Sequence, residues 1–169
     1  NELGVDTIHD FMAPLGFGQI TGIDIHGEVR GVLPSTDWKR NYFKNRRPEQ
    51  QRWYAGETIS LGIGQGYNSF TMLQLAQATA IVANNGVKHK PQLVIATQDA
   101  NAATSTPVAA EPPVNLGLRP EHIAVIRRAM VGVTQDGTSR RVFAGAPYLS
   151  GGKTGTAQAV SLGKNERYN

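Results

Sequence analysis

Ile8, Phe11, Met12 and Leu15 recur at i, i+3, i+4 and i+7, which is the spacing of one helix face. Thr7 with Asp10 resembles a capping box and Gly16 supplies a stop, so a short first helix is expected there. Residues 17–66 are rich in glycine and aromatics without a long helical period, and they predict loops with short extended pieces. A second helix is expected from Thr71 to Asn84. Met72, Leu75, Ala76, Thr79, Val82 and Ala83 line one of its faces, and Asn84-Asn85-Gly86 forms the stop. Gln92 to Thr97 predicts a buried strand behind Pro91. Residues 99–117 are Ala-, Thr- and Pro-rich with few large apolar groups, the composition of a surface insertion or mobile loop. A third helix is expected from Pro120 to Gln135, with Ile123, Ile126, Met130 and Val133 as its buried stripe. Tyr148 to Val160 is small, polar and glycine-bearing, and reads as a strand.

Composition narrows the class. The chain has 169 residues, room for one ordinary domain, and its 40% hydrophobic and 18% charged residues are a globular mixture. No apolar run approaches the roughly 18 to 20 residues that span a bilayer, and Asn1-Glu2-Leu3-Gly4 lacks the start of a signal peptide. With no cysteine, disulfides, thiolate zinc sites and cysteine nucleophiles are excluded. The 17 Lys and Arg outnumber the 13 Asp and Glu, and Lys39, Arg40, Lys44, Arg46, Arg47 and Arg52 crowd one stretch among Trp38, Tyr42, Phe43, Trp53 and Tyr54. Such a stretch can face nucleic acid, an acidic ligand or an anionic membrane surface. It can equally be a solvated loop held down by its aromatics. No nucleic-acid-binding signature accompanies it, so no nucleic-acid partner is expected.

The segment Gly151-Gly152-Lys153-Thr154-Gly155-Thr156-Ala157-Gln158 carries the most specific chemistry. On a strand, Thr154 and Thr156 share a face while Lys153 points to the other side or to the edge. Two adjacent hydroxyls can bind one carboxylate, and an ammonium nearby strengthens that field. The glycines at 151, 152 and 155 let a ligand lie against the backbone, as an extended peptide pairing with a sheet edge would. A plain hairpin edge strand is the bland alternative.

Competing motifs fail. Gly152-Lys153-Thr154 matches the end of a phosphate loop, but the first glycine of that pattern would fall on Pro147. Gly62-Ile63-Gly64-Gln65-Gly66 vaguely resembles a dinucleotide turn, yet no Asp or Glu occurs between Glu57 and Asp99 to hold a ribose. It reads instead as a tight lead-in to the helix at Thr71. His9, His26, His89 and His122 show no metal spacing, and Asp24, Glu28, Asp37, Glu49 and Glu57 form no recognisable acid–base pair. No metal or cofactor is expected.

Taken in order, the motifs resemble the C-terminal part of the transpeptidase domain of a class B penicillin-binding protein, of the penicillin-binding protein 2 group. They run through Leu33-Pro34, Trp38-Lys39, Trp53-Tyr54-Ala55-Gly56-Glu57-Thr58-Ile59-Ser60, Gly62-Ile63-Gly64-Gln65-Gly66-Tyr67, Leu73-Gln74-Leu75-Ala76 and Asn84-Asn85-Gly86. They continue through Met130-Val131, Gly137-Thr138 and the K-T-G run at 153–155. Met72 departs from the proline usual after the threonine. The resemblance implies an α/β (α+β) fold shared with serine β-lactamases, an antiparallel sheet with helices on both faces, here incomplete, over residues 1–169. It implies a peptidoglycan D,D-transpeptidase that cross-links stem peptides through a serine acyl-enzyme during cell-wall elongation and is acylated by β-lactams. Lys153 would be the lysine of the third motif, polarising the site. Thr154 and Thr156 would bind the terminal carboxylate, with Gly155 leaving room. The backbone N–H of Thr156 would be an oxyanion donor.

The same resemblance places the S-x-x-K nucleophile and the S-x-N motif upstream of Asn1. Ser150 and Lys153 are three apart on an expected strand and face opposite ways, while Ser161 and Lys164 fall after Lys153, the wrong order for the family. This chain alone is therefore expected to be inactive. The full protein is expected to be anchored in the inner membrane by a segment absent here, with this domain in the periplasm. Its implied partners are stem peptides, β-lactams and a glycosyltransferase of the elongation machinery. A β-lactamase or D,D-carboxypeptidase, and a non-catalytic sensor or scaffold, are the alternatives.

Overall fold

The computed structural model describes residues 3–155. Helix α1 (Val5–Met12) begins at Gly4 without a side-chain cap, three residues earlier than the Thr7–Asp10 pattern suggests. Asp6, in its first turn, ties the helix to the residue 36 region: its carboxylate accepts from Thr36 N and Thr36 Oγ1, both at 2.8 Å. A 3₁₀ turn (Ala13–Leu15) follows and ends at Gly16, whose φ of 100° is the left-handed stop that glycine accommodates.

The stretch expected to be loop holds three short helices: α2 (Thr36–Tyr42), α3 (Pro48–Gln51) and α4 (Ala55–Gly62). Each starts on a local signal rather than a long apolar period. Ser35 accepts from Trp38 N at 2.9 Å, Pro48 occupies the first turn of α3, and Glu57 accepts from Tyr54 N at 2.8 Å. The Gly62–Gly66 run ends α4 instead of leading into the next helix, with Gly64 N bonded to Leu61 O and Gln65 N to Ser60 O.

Helix α5 (Met72–Ala83) carries a full capping box, Thr71 Oγ1 with Gln74 N and Gln74 Oε1 with Thr71 N, each 3.1 Å. Its buried face is Gln74, Gln77, Ala78 and Ile81, while Met72, Leu75, Ala76, Thr79 and Ala83, which the apolar spacing groups on one face, are exposed. Gln74 explains the inversion. Wholly buried, its amide donates to Gln19 O at 2.5 Å and Arg30 O at 2.7 Å, so it fastens the 17–32 segment onto the helix. Leu15, Phe17, Leu33, Ala78 and Ile81 form the core there, with the Phe70 ring tilted against Phe17 at 4.6 Å between centroids. Gly31 (φ 67°) runs so close to the chain that a Cβ would stand 2.4 Å from Ser69 O, beside the Val32–Ser69 bridge.

Two small antiparallel sheets complete the described residues. β1 (Val87–Lys88) pairs with β4 (Val114–Asn115), and β2 (Ala96–Thr97) with β3 (Thr106–Pro107). The strand expected over 92–97 is thus shortened to its last two residues, and Leu93 and Ile95 are exposed. Asp24 accounts for the shortening, since its carboxylate takes the N–H groups of Leu93 and Val94 at 2.8 and 2.7 Å in place of a neighbouring strand. Those backbone bonds hold the Asp24 carboxyl below its ordinary value, as Thr21 and Gly22 N–H groups do for Glu28.

Candidate active site

Helix α6 (Pro120–Gln135) is the support on which the K-T-G segment rests, and its bounds are those the sequence predicts. Of the expected stripe only Ile123 is fully buried; Ile126 is exposed, Met130 and Val133 are half-buried, and Thr134 is buried in their stead. The turn after α5 seats α6. Asn85 (φ 56°) accepts from Arg127 Nη1 at 2.7 Å, and Gly86 (φ 85°) leaves just enough room for Ile123 and Leu118.

At its far end α6 closes on Gly137, whose N–H donates to Gly132 O at 2.8 Å, and the short helix α7 (Arg140–Phe143) turns the chain back. Residues 150–152 then return to α6 itself. Thr134 Oγ1 is 2.7 Å from Ser150 O, and Gly152 N–H donates to Met130 O at 3.0 Å. A Cβ on Gly151 would lie 3.3 Å from Met130, a tight approach that glycine avoids. A cavity of about 240 Å³ lies beside this junction, walled by Thr134, Arg140, Phe143, Tyr148 and Ser150 among others.

Lys153, Thr154 and Gly155 follow directly and are exposed, and Lys153 Nζ donates to Thr154 O. The strand expected over 148–160 is not formed by its described part: residues 148–155 have no ladder partner among the described residues, and the Gly152 amide goes to α6 instead. Thr156, and the Ser161–Lys164 pair, lie outside the described residues.

The basic stretch separates into two populations. Arg40, Lys44, Arg46, Arg47 and Arg52 are exposed, but Lys39 is 3% exposed and ion-paired with Glu57. Its ammonium sits 5.6, 5.2 and 5.6 Å from the ring centroids of Trp53, Tyr54 and Tyr67. Burial, then Glu57, pushes the Tyr67 hydroxyl above its ordinary value. Charge composition alone could not separate Lys39 from its neighbours. The available signal was Lys39 followed by Trp53-Tyr54 and Glu57, a short stretch that holds the anion and two of the three rings. No group of three or more potential metal ligands occurs among the described residues.

The whole of residues 1–169 matches the penicillin binding protein transpeptidase domain, and the chain belongs to that family. Its helices with small antiparallel sheets are the α+β arrangement of that fold. Among individual relatives, the chain is 40% identical over 169 residues to the peptidoglycan D,D-transpeptidase MrdA of Acinetobacter baumannii, covering all of this chain and 24% of that protein. The Escherichia coli K12 protein of the same name is 35% identical over 170 residues, 99% of this chain and 26% of its own length. The crystal structure of Pseudomonas aeruginosa PBP2 in complex with WCK 5153 superposes with a TM-score of 0.76 at 40% identity, covering 93% of this chain and 34% of that one. A peptidoglycan synthase complex, described as coordinating polymerization and crosslinking, gives 0.76 at 32% identity over 95% of this chain and 24% of that one. This chain therefore spans about a quarter of the length of the curated relatives it matches.

Proposed function

We propose that this chain is the K-T-G-bearing portion of a peptidoglycan D,D-transpeptidase. The observation that carries the reading is the disposition of residues 150–155: the backbone is fixed to α6 at 150 and 152, and the next two residues present an ammonium and a hydroxyl to solvent. That is an arrangement for meeting an anionic ligand, with rigid support behind and polar groups in front.

In this reading a serine supplied elsewhere in the protein attacks the carbonyl of the penultimate D-alanine of a stem peptide. The terminal D-alanine leaves and an ester to the serine remains. An amine of a neighbouring stem then attacks the ester, forms the cross-link and returns the serine. Lys153 raises the positive potential at the reacting carbonyl and orders the hydroxyl partners of the nucleophile. Thr154 and Thr156 hydroxyls hold the terminal carboxylate, Gly155 keeps the approach open, and the Thr156 N–H is one of two donors to the oxyanion. Loss of such a donor costs about 3 kcal/mol in the barrier. A β-lactam, whose carboxylate and strained amide imitate the stem terminus, acylates the same serine.

The MrdA relatives are named for this activity, and a structural relative belongs to a complex that joins polymerization to crosslinking. A cell-wall location outside the cytoplasm, an inner-membrane anchor elsewhere in the protein and a glycan-polymerising partner extend the proposal. The carboxylate role is tested in the full-length protein with Thr156→Val and a pair of penicillins, one a free acid and one its methyl ester. The wild type should be acylated much faster by the acid, and the variant should lose about tenfold of that preference, the scale of one charge-assisted hydrogen bond. An undiminished preference in the variant contradicts the assignment.

A further inference from the structure

We infer that Thr134 is a positioning residue for the K-T-G segment, fixing where Lys153 stands by tying the Ser150 carbonyl to α6. The inference rests on the transpeptidase reading above. Thr134 is 5% exposed, near the end of α6, and its hydroxyl lies 2.7 Å from Ser150 O and 2.9 Å from Val131 O. A hydroxyl has a single proton, so it serves one carbonyl at a time. Val131 O, three residues back, is the local acceptor open to any helical threonine. Ser150 O is the nearer one and lies 16 positions along the chain.

The neighbouring contacts give this bond its leverage. Gly152 N–H donates to Met130 O at 3.0 Å, and a Cβ added at Gly151 would come within 3.3 Å of Met130 and 3.4 Å of the Val131 nitrogen. Residues 150, 151 and 152 are thereby matched to one turn of α6, and Lys153 is the next residue out. At no more than about 3.6 Å of chain per residue, the Lys153 Cα is within roughly 10 Å of the clamped carbonyl, so the tether acts close to the residue that carries the ammonium. Misplacing a reacting group by about 1 Å can cost on the order of a hundredfold in rate. Thr134 touches no reacting atom; it acts through the backbone that carries them.

The test uses the full-length protein and a penicillin, following the acylation rate and, separately, the plateau of acylated protein. The plateau counts folded, competent sites, so the rate belongs to those sites alone. Thr134→Val keeps the shape and removes the donor, and should lower the acylation rate constant about five- to tenfold with the plateau unchanged, the factor of one net hydrogen bond. Thr134→Ser, which restores the hydroxyl, should recover to within about twofold by the same reasoning. If valine disturbs the packing and the plateau falls, Thr134→Ala removes the donor without adding an atom, and the same drop in rate is expected there. A wild-type rate in the valine or alanine variant that reaches full plateau, or a serine variant as slow as valine, overturns the inference. Should Lys153→Ala also acylate at the wild-type rate, the transpeptidase reading itself fails. Should Lys153→Ala be slow while Thr134→Val and Thr134→Ala are not, only the positioning role is lost.

Discussion

Lys39 shows how far one residue's surroundings can depart from its type. Its ammonium is removed from water, paired with Glu57 and faced by Trp53, Tyr54 and Tyr67, while the other Glu57 oxygen takes the Tyr54 N–H. One cation thus joins α2, the start of α4 and the turn at residue 67. Removing one partner of a buried pair is costlier than removing both, because the survivor's charge is left uncompensated. Glu57 keeps about a quarter of its side-chain surface in water, so Lys39→Met should cost about 2–3 kcal/mol, below the full range for buried pairs. The Lys39→Met/Glu57→Gln double variant should recover most of that loss. Hydrogen exchange at the α2 and α4 amides of the full-length protein measures both. A single variant no less protected than the double would show that the pair carries no such penalty.

At the scale of elements, helix α5 depends on a polar side chain. Gln74→Leu fits the apolar surroundings but strips Gln19 O and Arg30 O of their donors and opens the capping box at Thr71. A loss of about 1–2 kcal/mol is expected, the lower part of the range for stranding a polar group, since these carbonyls are only part-buried. It should appear as faster exchange and proteolysis in residues 17–32, and unchanged protection there would contradict this account. The same residue shows why sequence reading succeeded in part. The bounds of α5 and α6 were legible because Thr71, Asn84-Asn85-Gly86 and Pro120 are local chemical signals. Which face of α5 is buried was not, because amphipathic spacing counts apolar groups and Gln74 and Gln77 are buried through their amides. Helices α2 to α4 were missed for a related reason: they lack the four-membered apolar repeat that marked α1, and their caps were the available clue. The strand over 92–97 lost its ladder to a carboxylate 69 positions earlier, a long-range partner that periodicity does not reveal.

For the whole molecule, residue types alone single out the K-T-G run as the place to propose anion binding, whereas its attachment through Thr134 is visible only in three dimensions. The chain spans about a quarter of the length of its curated relatives, so the proposed reaction is tested in the full-length protein, with Lys153 as the residue to vary. The most direct measurement is the intact mass of the full-length protein after incubation with a fluorescent penicillin, with peptide mapping of the adduct. The account predicts one penicilloyl group on a serine outside residues 1–169, no labelling of this chain by itself, and greatly slowed acylation in Lys153→Ala. An adduct on a serine within this chain, or a Lys153→Ala variant acylated at the wild-type rate, would contradict it.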